Sequence, residues 1–111
     1  MKIQADVYLT TLGYSPMLHK FEMDGWKRDP ITEKQKELLE KYGIAYARVK
    51  YKGQASMIID VIFERNQKKL ATPKQIQVLL KHNYTMGKIK YLTKEGAGRI
   101  ISKYFLEDDD L

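Results

Sequence analysis

The chain has 111 residues, of which 43% are hydrophobic and 31% are charged. That length suits one compact domain or two very small ones that share a core, and the composition excludes a largely disordered chain. There is no cysteine and no apolar run near the ~20 residues that span a bilayer, which excludes disulfide frameworks and membrane-spanning helices and fits the cytoplasm.

Positive charge is concentrated in the middle and C-terminal parts of the sequence. Residues 1–30 carry four basic and four acidic side chains, whereas residues 31–106 carry sixteen basic and six acidic ones. Residues 107–111 hold four acidic side chains, so the chain as a whole is +6. A segment with so large an excess of cations favours a polyanionic partner, most commonly nucleic acid. The alternative is a lysine-rich surface that only keeps the protein in solution.

The first thirty residues predict a β-hairpin-like segment. Apolar side chains alternate along KIQADVYL, at Ile3, Ala5, Val7 and Leu9. This period of two is typical of a half-buried strand, and residues 18–23 would form the second strand across a turn. Trp26 stands just before the first of two repeats, and we expect its ring to pack against that unit. Stacking on a base or anchoring a partner is the alternative role for Trp26.

The rest of the sequence contains an internal duplication. Residues 32–43 read TEKQKELLEKYG and residues 72–83 read TPKQIQVLLKHN. At an offset of forty, Thr32, Lys34, Gln35, Leu39 and Lys41 match Thr72, Lys74, Gln75, Leu79 and Lys81. At an offset of forty-two, Lys52, Ala55, Ile58, Ile59 and Phe63 match Lys94, Ala97, Ile100, Ile101 and Phe105. Ten identities with a single two-residue insertion indicate two copies of one structural unit.

Each copy predicts a helix, a loop and a second helix. A threonine followed three residues later by glutamine is a capping box, and this arrangement occurs at Thr32 and again at Thr72. Gly43 and Asn83 stand at the predicted C-termini of these first helices, and both residue types tolerate a left-handed backbone. The loops contain RVKYK and KIKY, which alternate like two short strands that would pair.

These patterns predict a mainly α-helical protein with a small β element. Its parts are an N-terminal hairpin-like docking segment 1–30, a first helix-loop-helix unit 31–65, a second unit 71–106 and an acidic tail 107–111. Each unit alone has too few apolar residues for a stable core, so we expect the two units to share one.

The sequence offers no catalytic or metal-binding constellation. Neither His19 nor His82 has a carboxylate or a second histidine at ligand spacing, and no nucleophile motif or phosphate loop is present. The aspartates at 108–110 are typical of a solvated tail. We therefore expect a protein that is not an enzyme and that needs no cofactor or metal.

The loops supply the candidate nucleic-acid-binding residues. These are Arg48, Lys50, Tyr51 and Lys52 in the first loop and Lys88, Lys90, Tyr91 and Lys94 in the second. Lysines near a helix N-terminus favour phosphate, and tyrosine rings stack on unpaired bases. Two such loops predict binding along a single strand with little sequence preference. The alternative is that the tyrosines are half-buried loop anchors and the lysines merely surround them.

The duplicated pattern resembles a known helical module. The first copy reads T-x-K-Q-x-x-x-L-x-K-x-G and then K-G-x-A-S-x-x-I, carried by Thr32, Lys34, Gln35, Leu39, Lys41, Gly43, Lys52, Gly53, Ala55, Ser56 and Ile59. It is similar to the module near the C-termini of many phage and mobile-element helicases and related DNA-metabolism proteins. The second copy departs from the pattern at Asn83, Glu95 and Gly98.

The whole chain also resembles the small middle proteins of the replication operons in staphylococcal cassette chromosome elements. That resemblance implies a bacterial protein that helps an A-family DNA polymerase to start primers, beside a separate helicase. It makes the neutral residues 1–30 the candidate docking segment for the polymerase, with Trp26, Phe21 and Tyr14 as its aromatic contacts.

The leading hypothesis is therefore a non-catalytic accessory subunit in mobile-element DNA replication, which binds single-stranded DNA or a primer-template together with a polymerase. The alternative is a protein-interaction module, or a phage-type inhibitor of a nucleic-acid enzyme, without direct DNA contact. A helix-turn-helix regulator is disfavoured, because its turn has about three or four residues and the loops here are longer.

Overall fold

The computed structural model describes residues 2–14, 25–84 and 86–104. Its elements in chain order are β1 (Ile3–Gln4), α1 (Ala5–Thr11), a 3₁₀ helix (Gly25–Arg28), α2 (Glu33–Lys41), β2 (Ile44–Ala45), α3 (Lys52–Gln67), α4 (Pro73–Lys81), α5 (Met86–Ile89) and α6 (Lys94–Tyr104). The protein is mainly α-helical with a small β element, as the sequence predicts. The proposed second hairpin strand at 18–23 and the tail at 107–111 lie outside the described residues.

The small β element joins the N-terminus to the first repeat. β1 pairs in parallel with β2, so that Ile3 lies opposite Ile44 and Gln4 lies opposite Ala45. Both isoleucines are completely buried. Because a parallel pair needs a long crossover connection, this is not the hairpin that the sequence predicts.

The segment after β1 is helical, which corrects the prediction of a strand over residues 3–9. The buried side chains of α1 are Ala5, Tyr8, Leu9 and Thr11. They recur at helical spacing and place one face of α1 in the core. Val7, which an alternating strand would bury, is 41% exposed.

Both first helices begin with the predicted capping boxes. In α2 the Thr32 hydroxyl accepts from the Gln35 N–H at 3.1 Å, and Gln35 Oε1 accepts from the Thr32 N–H at 3.1 Å. In α4 Thr72 and Gln75 form the same two bonds, at 3.2 and 3.0 Å. Each pair satisfies two backbone donors that a helix N-terminus otherwise leaves free. These two predictions are confirmed.

The C-termini of α2 and α4 also match the sequence prediction. Gly43 has a φ of +80° and Asn83 has a φ of +60°, so each helix ends on a residue in the left-handed region. Glycine has no Cβ to clash in this conformation, and asparagine tolerates it better than most residues.

Within each unit, backbone hydrogen bonds join the residues at or just before the start of the second helix to the residues just before the first helix. In the first unit the Ile31 N–H donates to Lys50 O at 3.2 Å, and the Lys52 N–H donates to Asp29 O at 2.7 Å. These bonds form one antiparallel bridge, which holds the start of α3 beside the start of α2.

The second unit forms the same bridge. The Ala71 N–H donates to Leu92 O at 3.0 Å, and the Lys94 N–H donates to Lys69 O at 2.9 Å. The bridge residues that precede the first helix differ by forty in residue number between the two units. Those at or just before the start of the second helix differ by forty-two. These are the two offsets of the sequence identities. The predicted pairing of RVKYK with KIKY is wrong, since each loop pairs within its own unit and residues 86–89 of the second are helical.

The two units share one hydrophobic core, as expected from their size. α2 packs on α3, and α4 packs on α6; β1 contacts α4, and α1 contacts α5. The completely buried large side chains come from both units and from the N-terminal segment: Tyr8, Ile3, Leu9, Leu12, Leu39, Ile44, Ile58, Ile62, Ile76, Leu79 and Ile89. Ala55 and Ala97 are also fully buried, near the starts of α3 and α6, where a small side chain allows close packing.

Candidate nucleic-acid interface

One cleft lies along α2, from Thr32 to Lys41, and another lies at the N-terminal end of α4; we name them the α2 cleft and the α4 cleft. Their volumes are about 560 Å³ and about 990 Å³. Four lining positions are equivalent in the repeat: Thr32 and Thr72, Lys34 and Lys74, Gln35 and Gln75, Lys52 and Lys94. The duplication therefore repeats a surface as well as a backbone.

The clefts are strongly cationic. Six lysines line them: Lys34, Lys41, Lys52, Lys69, Lys74 and Lys94. Two glutamates also line them, Glu37 in the α2 cleft and Glu95 in the α4 cleft. Glu95 forms an ion pair with Arg99 one turn along α6, so its charge is balanced locally. An excess of ammonium groups in adjoining concave surfaces attracts a polyanion.

The clefts adjoin at the C-terminus of α2. Lys41 lines both of them. The stem of Lys74 lies over Gly43, and a Cβ on that glycine would stand only 2.9 Å from Lys74 Cγ. The end of α2 thus packs directly against the start of α4, where the two clefts meet.

The capping glutamines also hold the cleft walls together. Gln35 Nε2 donates to Lys52 O at 3.2 Å, and Gln75 Nε2 donates to Lys94 O at 3.1 Å. One side chain therefore caps the first helix of a unit and holds the first residue of its second helix. Each unit presents the lysine that begins its second helix beside the N-terminus of its first.

Two of the eight predicted binding residues, Lys52 and Lys94, line the clefts. Arg48 is exposed and forms an ion pair with Asp6 at 3.0 Å. Lys90 lies beside Gly13, with its Nζ 3.4 Å from where a Cβ would stand. Asp6 lies in the first turn of α1 and Gly13 follows its C-terminus. These two predicted cations therefore border α1 rather than the clefts.

The remaining predicted cations, Lys50 and Lys88, are exposed and line neither cleft among the described residues. The lysines that sequence reasoning missed are Lys34, Lys41, Lys69 and Lys74. A usable signal existed for three of them, because Lys34 matches Lys74 and Lys41 matches Lys81 at the offset of forty. Lys69 gave no such signal, since it enters the α4 cleft from the linker after α3.

The two candidate tyrosines, Tyr51 and Tyr91, do not lie at equivalent positions of the repeat. The Val49 N–H donates to Tyr46 O at 2.9 Å, and the Tyr91 N–H donates to Lys88 O at 3.2 Å, so Tyr91 corresponds to Val49. Tyr51 pairs with Pro30 in the bridge of the first unit and corresponds to Thr93. The sequence comparison missed this because the two-residue insertion precedes these positions.

The environments of the two tyrosines differ accordingly. Tyr91 is 76% exposed, and Lys90 Nζ lies 5.7 Å from the centre of its ring. Tyr51 is half-buried, and its N–H donates to Gln54 Oε1 at 3.1 Å. Only Tyr91 therefore offers a largely open ring face, next to a cation, to an unpaired base.

The predicted partner-docking residues are only partly described. Tyr14 is 40% exposed and follows α1. Phe21 and the side chain of Trp26 lie outside the described residues. The short 3₁₀ helix that contains the Trp26 backbone contacts α3 of the first unit.

Arg65 connects the first unit to the edge of the α4 cleft. Its side chain is 7% exposed; Nη1 donates to Lys90 O at 3.1 Å, and Nη2 donates to Ala71 O at 3.4 Å. Ala71 directly precedes the capping residue Thr72, and Lys90 directly precedes Tyr91. This guanidinium therefore fixes two segments of the second unit from a helix of the first.

Tyr8 faces the same buried guanidinium from α1. Burial raises the pKa of Tyr8 to about 12, against the opposing effect of the Arg65 charge. Burial likewise lowers the pKa of Arg65 from its ordinary value. Tyr8 Oη and Arg65 Nε have no hydrogen-bond partner within the described part of the chain. The core thus contains a cation and a neutral hydroxyl, and burial is the largest influence on the pKa of each.

No family model, curated protein or solved structure matches the chain. Within the described ranges, no helix combines the length and the apolarity needed to span a bilayer. In the same ranges no three acidic or histidine side chains converge as metal ligands would.

Proposed function

We propose that this protein is a non-catalytic accessory subunit in mobile-element DNA replication. In this proposal it binds single-stranded DNA or a primer-template and supports an A-family polymerase in primer synthesis. The observation that carries the nucleic-acid part is the pair of adjoining lysine-lined clefts, equivalent in the repeat, with Lys41 common to both.

The charge and shape of the clefts support binding to a phosphate backbone. A nucleic-acid strand presents phosphates at regular intervals, and lysines that neutralise them release bound counterions. Lysine acts as a point charge and does not read base edges in the manner of paired arginine or asparagine contacts. The cleft chemistry therefore suits a strand of any sequence.

The role beside a polymerase comes from the resemblance to the small proteins of cassette-chromosome replication operons. The neutral charge of residues 1–30 and the exposed ring of Tyr14 are compatible with a protein contact there. The proposal assigns no reaction to the chain itself, because its sequence contains no nucleophile motif, phosphate loop or metal-ligand spacing.

The binding test is a fluorescence-anisotropy titration of a labelled oligothymidylate at low salt. If about four phosphates are neutralised, affinity should fall about 50-fold between about 50 and 200 mM salt. The cleft variant replaces Lys34, Lys52, Lys74 and Lys94 with glutamine; the matched variant replaces Arg48, Lys50, Lys88 and Lys90. Both remove four charges, and we expect a much larger loss from the first.

Two results would contradict the proposal. Absence of binding at low salt, alone and with an A-family polymerase from the same element, would remove the nucleic-acid role. An equal loss in the cleft and matched variants would show that net charge, and not the clefts, determines affinity. Primer synthesis by that polymerase should rise on addition of the wild-type protein and not on addition of the cleft variant.

A further inference from the structure

The arrangement of the two clefts determines which kind of polyanion can occupy both. Two copies of a unit within one chain can meet in either of two ways. In a twofold arrangement the same pair of surfaces meets twice, whereas in a head-to-tail arrangement the end of one copy meets the start of the next. The two arrangements suit different ligands, because a nucleic-acid strand has a direction.

The contacts between the units are head-to-tail. Lys41 and Tyr42, at the C-terminus of α2, line the α4 cleft beside Thr72. In a twofold arrangement their equivalents Lys81 and His82 would line the α2 cleft in the same way. The described lining of the α2 cleft contains neither of them.

A second contact gives the same direction. The stem of Lys74, in the first turn of α4, lies over Gly43 at the end of α2. The reciprocal contact would place the equivalent residue Lys34 over Asn83. The described lining of the α2 cleft around Lys34 comes entirely from the first unit, so the second unit supplies no such contact there.

We propose that the two clefts bind successive segments of one nucleic-acid strand, both in the same 5′-to-3′ direction. This inference rests on the proposed function and makes it more specific. A head-to-tail pair of equivalent sites repeats the same orientation, and a single strand repeats its phosphates in one direction. The two strands of a duplex run in opposite directions, so only one of them at a time could follow both clefts in this way.

Binding to both clefts by one strand has a measurable length dependence. Once a strand reaches from one cleft to the other, the second contact forms at a high effective concentration, and affinity rises by about 10²-fold or more. Below that length a strand occupies only one cleft. Its affinity then rises only in proportion to the number of positions at which the strand can bind. The step should fall within about 4–16 nucleotides, the range of single-strand site sizes.

The first experiment measures affinity against oligothymidylate length for wild type and two variants. One variant replaces Lys34 and Lys52 with glutamine, and the other replaces Lys74 and Lys94 at the equivalent positions. Each should lose the step while keeping wild-type affinity for short strands within about threefold. A control that replaces Lys68 and Lys103, which line neither cleft, should retain the step.

The second experiment tests direction with a strand of the same length whose two halves are joined through an inverted 3′–3′ linkage. Such a strand has the same charge but opposite directions in its two halves. We expect it to bind about as weakly as one half alone.

The outcomes separate this inference from the proposal beneath it. A smooth length curve, a step that survives in either cleft variant, or equal binding of the inverted strand would overturn the inference and leave strand binding intact. Failure of every oligonucleotide to bind at low salt would overturn the proposed function as well.

Discussion

The two repeats have the same backbone connections and four equivalent cleft positions, but they differ at other equivalent positions. In each, a Thr–Gln capping box begins the first helix, and the same glutamine holds the first residue of the second. At the equivalent positions 49 and 91, however, the first unit has a buried valine, 4% exposed, and the second has a tyrosine, 76% exposed. A few repeated hydrogen bonds are therefore sufficient to preserve the unit, while the side chains between them are free to diverge.

The second helices also differ in what they contribute. α3 has sixteen residues and continues past its own unit, so that Arg65 reaches carbonyls of the second. Arg99, in the second turn of α6, is instead 76% exposed and pairs with Glu95 on the same helix. Arg65 thus joins the first unit to the second, and the described part of α6 makes no equivalent contact with the first unit.

The strongest test of this difference is removal of the buried guanidinium. Arg65→Met should lower the free energy of unfolding by about 2–4 kcal/mol, because a buried carbonyl and a part-buried carbonyl lose a charged donor. Arg99→Met, an exposed change in the second helix of the other unit, should cost less than about 0.5 kcal/mol. Urea unfolding measures both. Equal effects would mean that Arg65 does not stabilise the junction.

The next test uses the pH dependence of the same region. Because the folded-state pKa of Tyr8 is raised above its unfolded value of about 10, the folded state retains the proton longer. Its stability contribution is therefore present below pH 10 and is lost as the pH rises through 12, by about 2 kcal/mol. The measurement is the difference in unfolding free energy between wild type and Tyr8→Phe across this range. A difference that is independent of pH would contradict the raised pKa.

The equivalent positions 49 and 91 provide a matched pair. Val49→Ala should cost about 1–2 kcal/mol of stability, since it removes buried methyl groups, whereas Tyr91→Ala should change stability by less than about 0.5 kcal/mol. If Tyr91 stacks on a base, its loss should still weaken binding to oligothymidylate about tenfold. Binding that is equally strong in both variants and wild type would assign Tyr91 no role in the interface.

The smallest expected effect concerns what the repeats have in common. Gln35→Ala and Gln75→Ala should each cost about 1 kcal/mol and by nearly equal amounts, because both remove the same cap and the same bond to a carbonyl. Replacing either glutamine with glutamate keeps the oxygen that caps the helix but removes the Nε2 donor. The change in unfolding free energy then reports the hydrogen bond to the Lys52 or Lys94 carbonyl alone. A clearly unequal pair of alanine effects would show that the two units are less alike than their hydrogen bonds indicate.

Local features of the structure were predictable from the sequence. The capping boxes at Thr32 and Thr72, and the left-handed residues Gly43 and Asn83, depend on neighbours within one helical turn. The helices that follow Lys52 and Lys94 were predicted from the repeated identities. The shared core followed from the small number of apolar residues in each unit.

Features that depend on distant contacts were not predictable in this way. The strand prediction for residues 3–9 relied on alternating apolar residues, although Ala5, Leu9 and Leu12 also fit a helix. Both the strand period of two and the helical period fit these residues, so the local sequence does not choose between them. The choice depends on tertiary packing, in which Ile3 and Gln4 pair with a segment some forty residues away. The clefts were missed because they depend on a distant contact: the end of α2 and the linker after α3 meet the start of α4, which places Lys41 and Lys69 on one surface.

The hydrogen bonds of Arg65 have a consequence for how the molecule melts. A half-molecule that ended after α3 would retain this buried cation without the carbonyls of residues 71 and 90. A half-molecule that began at residue 71 would leave those carbonyls without their donor. Because each half lacks the hydrogen-bond partners that the other supplies, the two units should unfold in one cooperative transition. An isolated half should be partly unfolded or should self-associate.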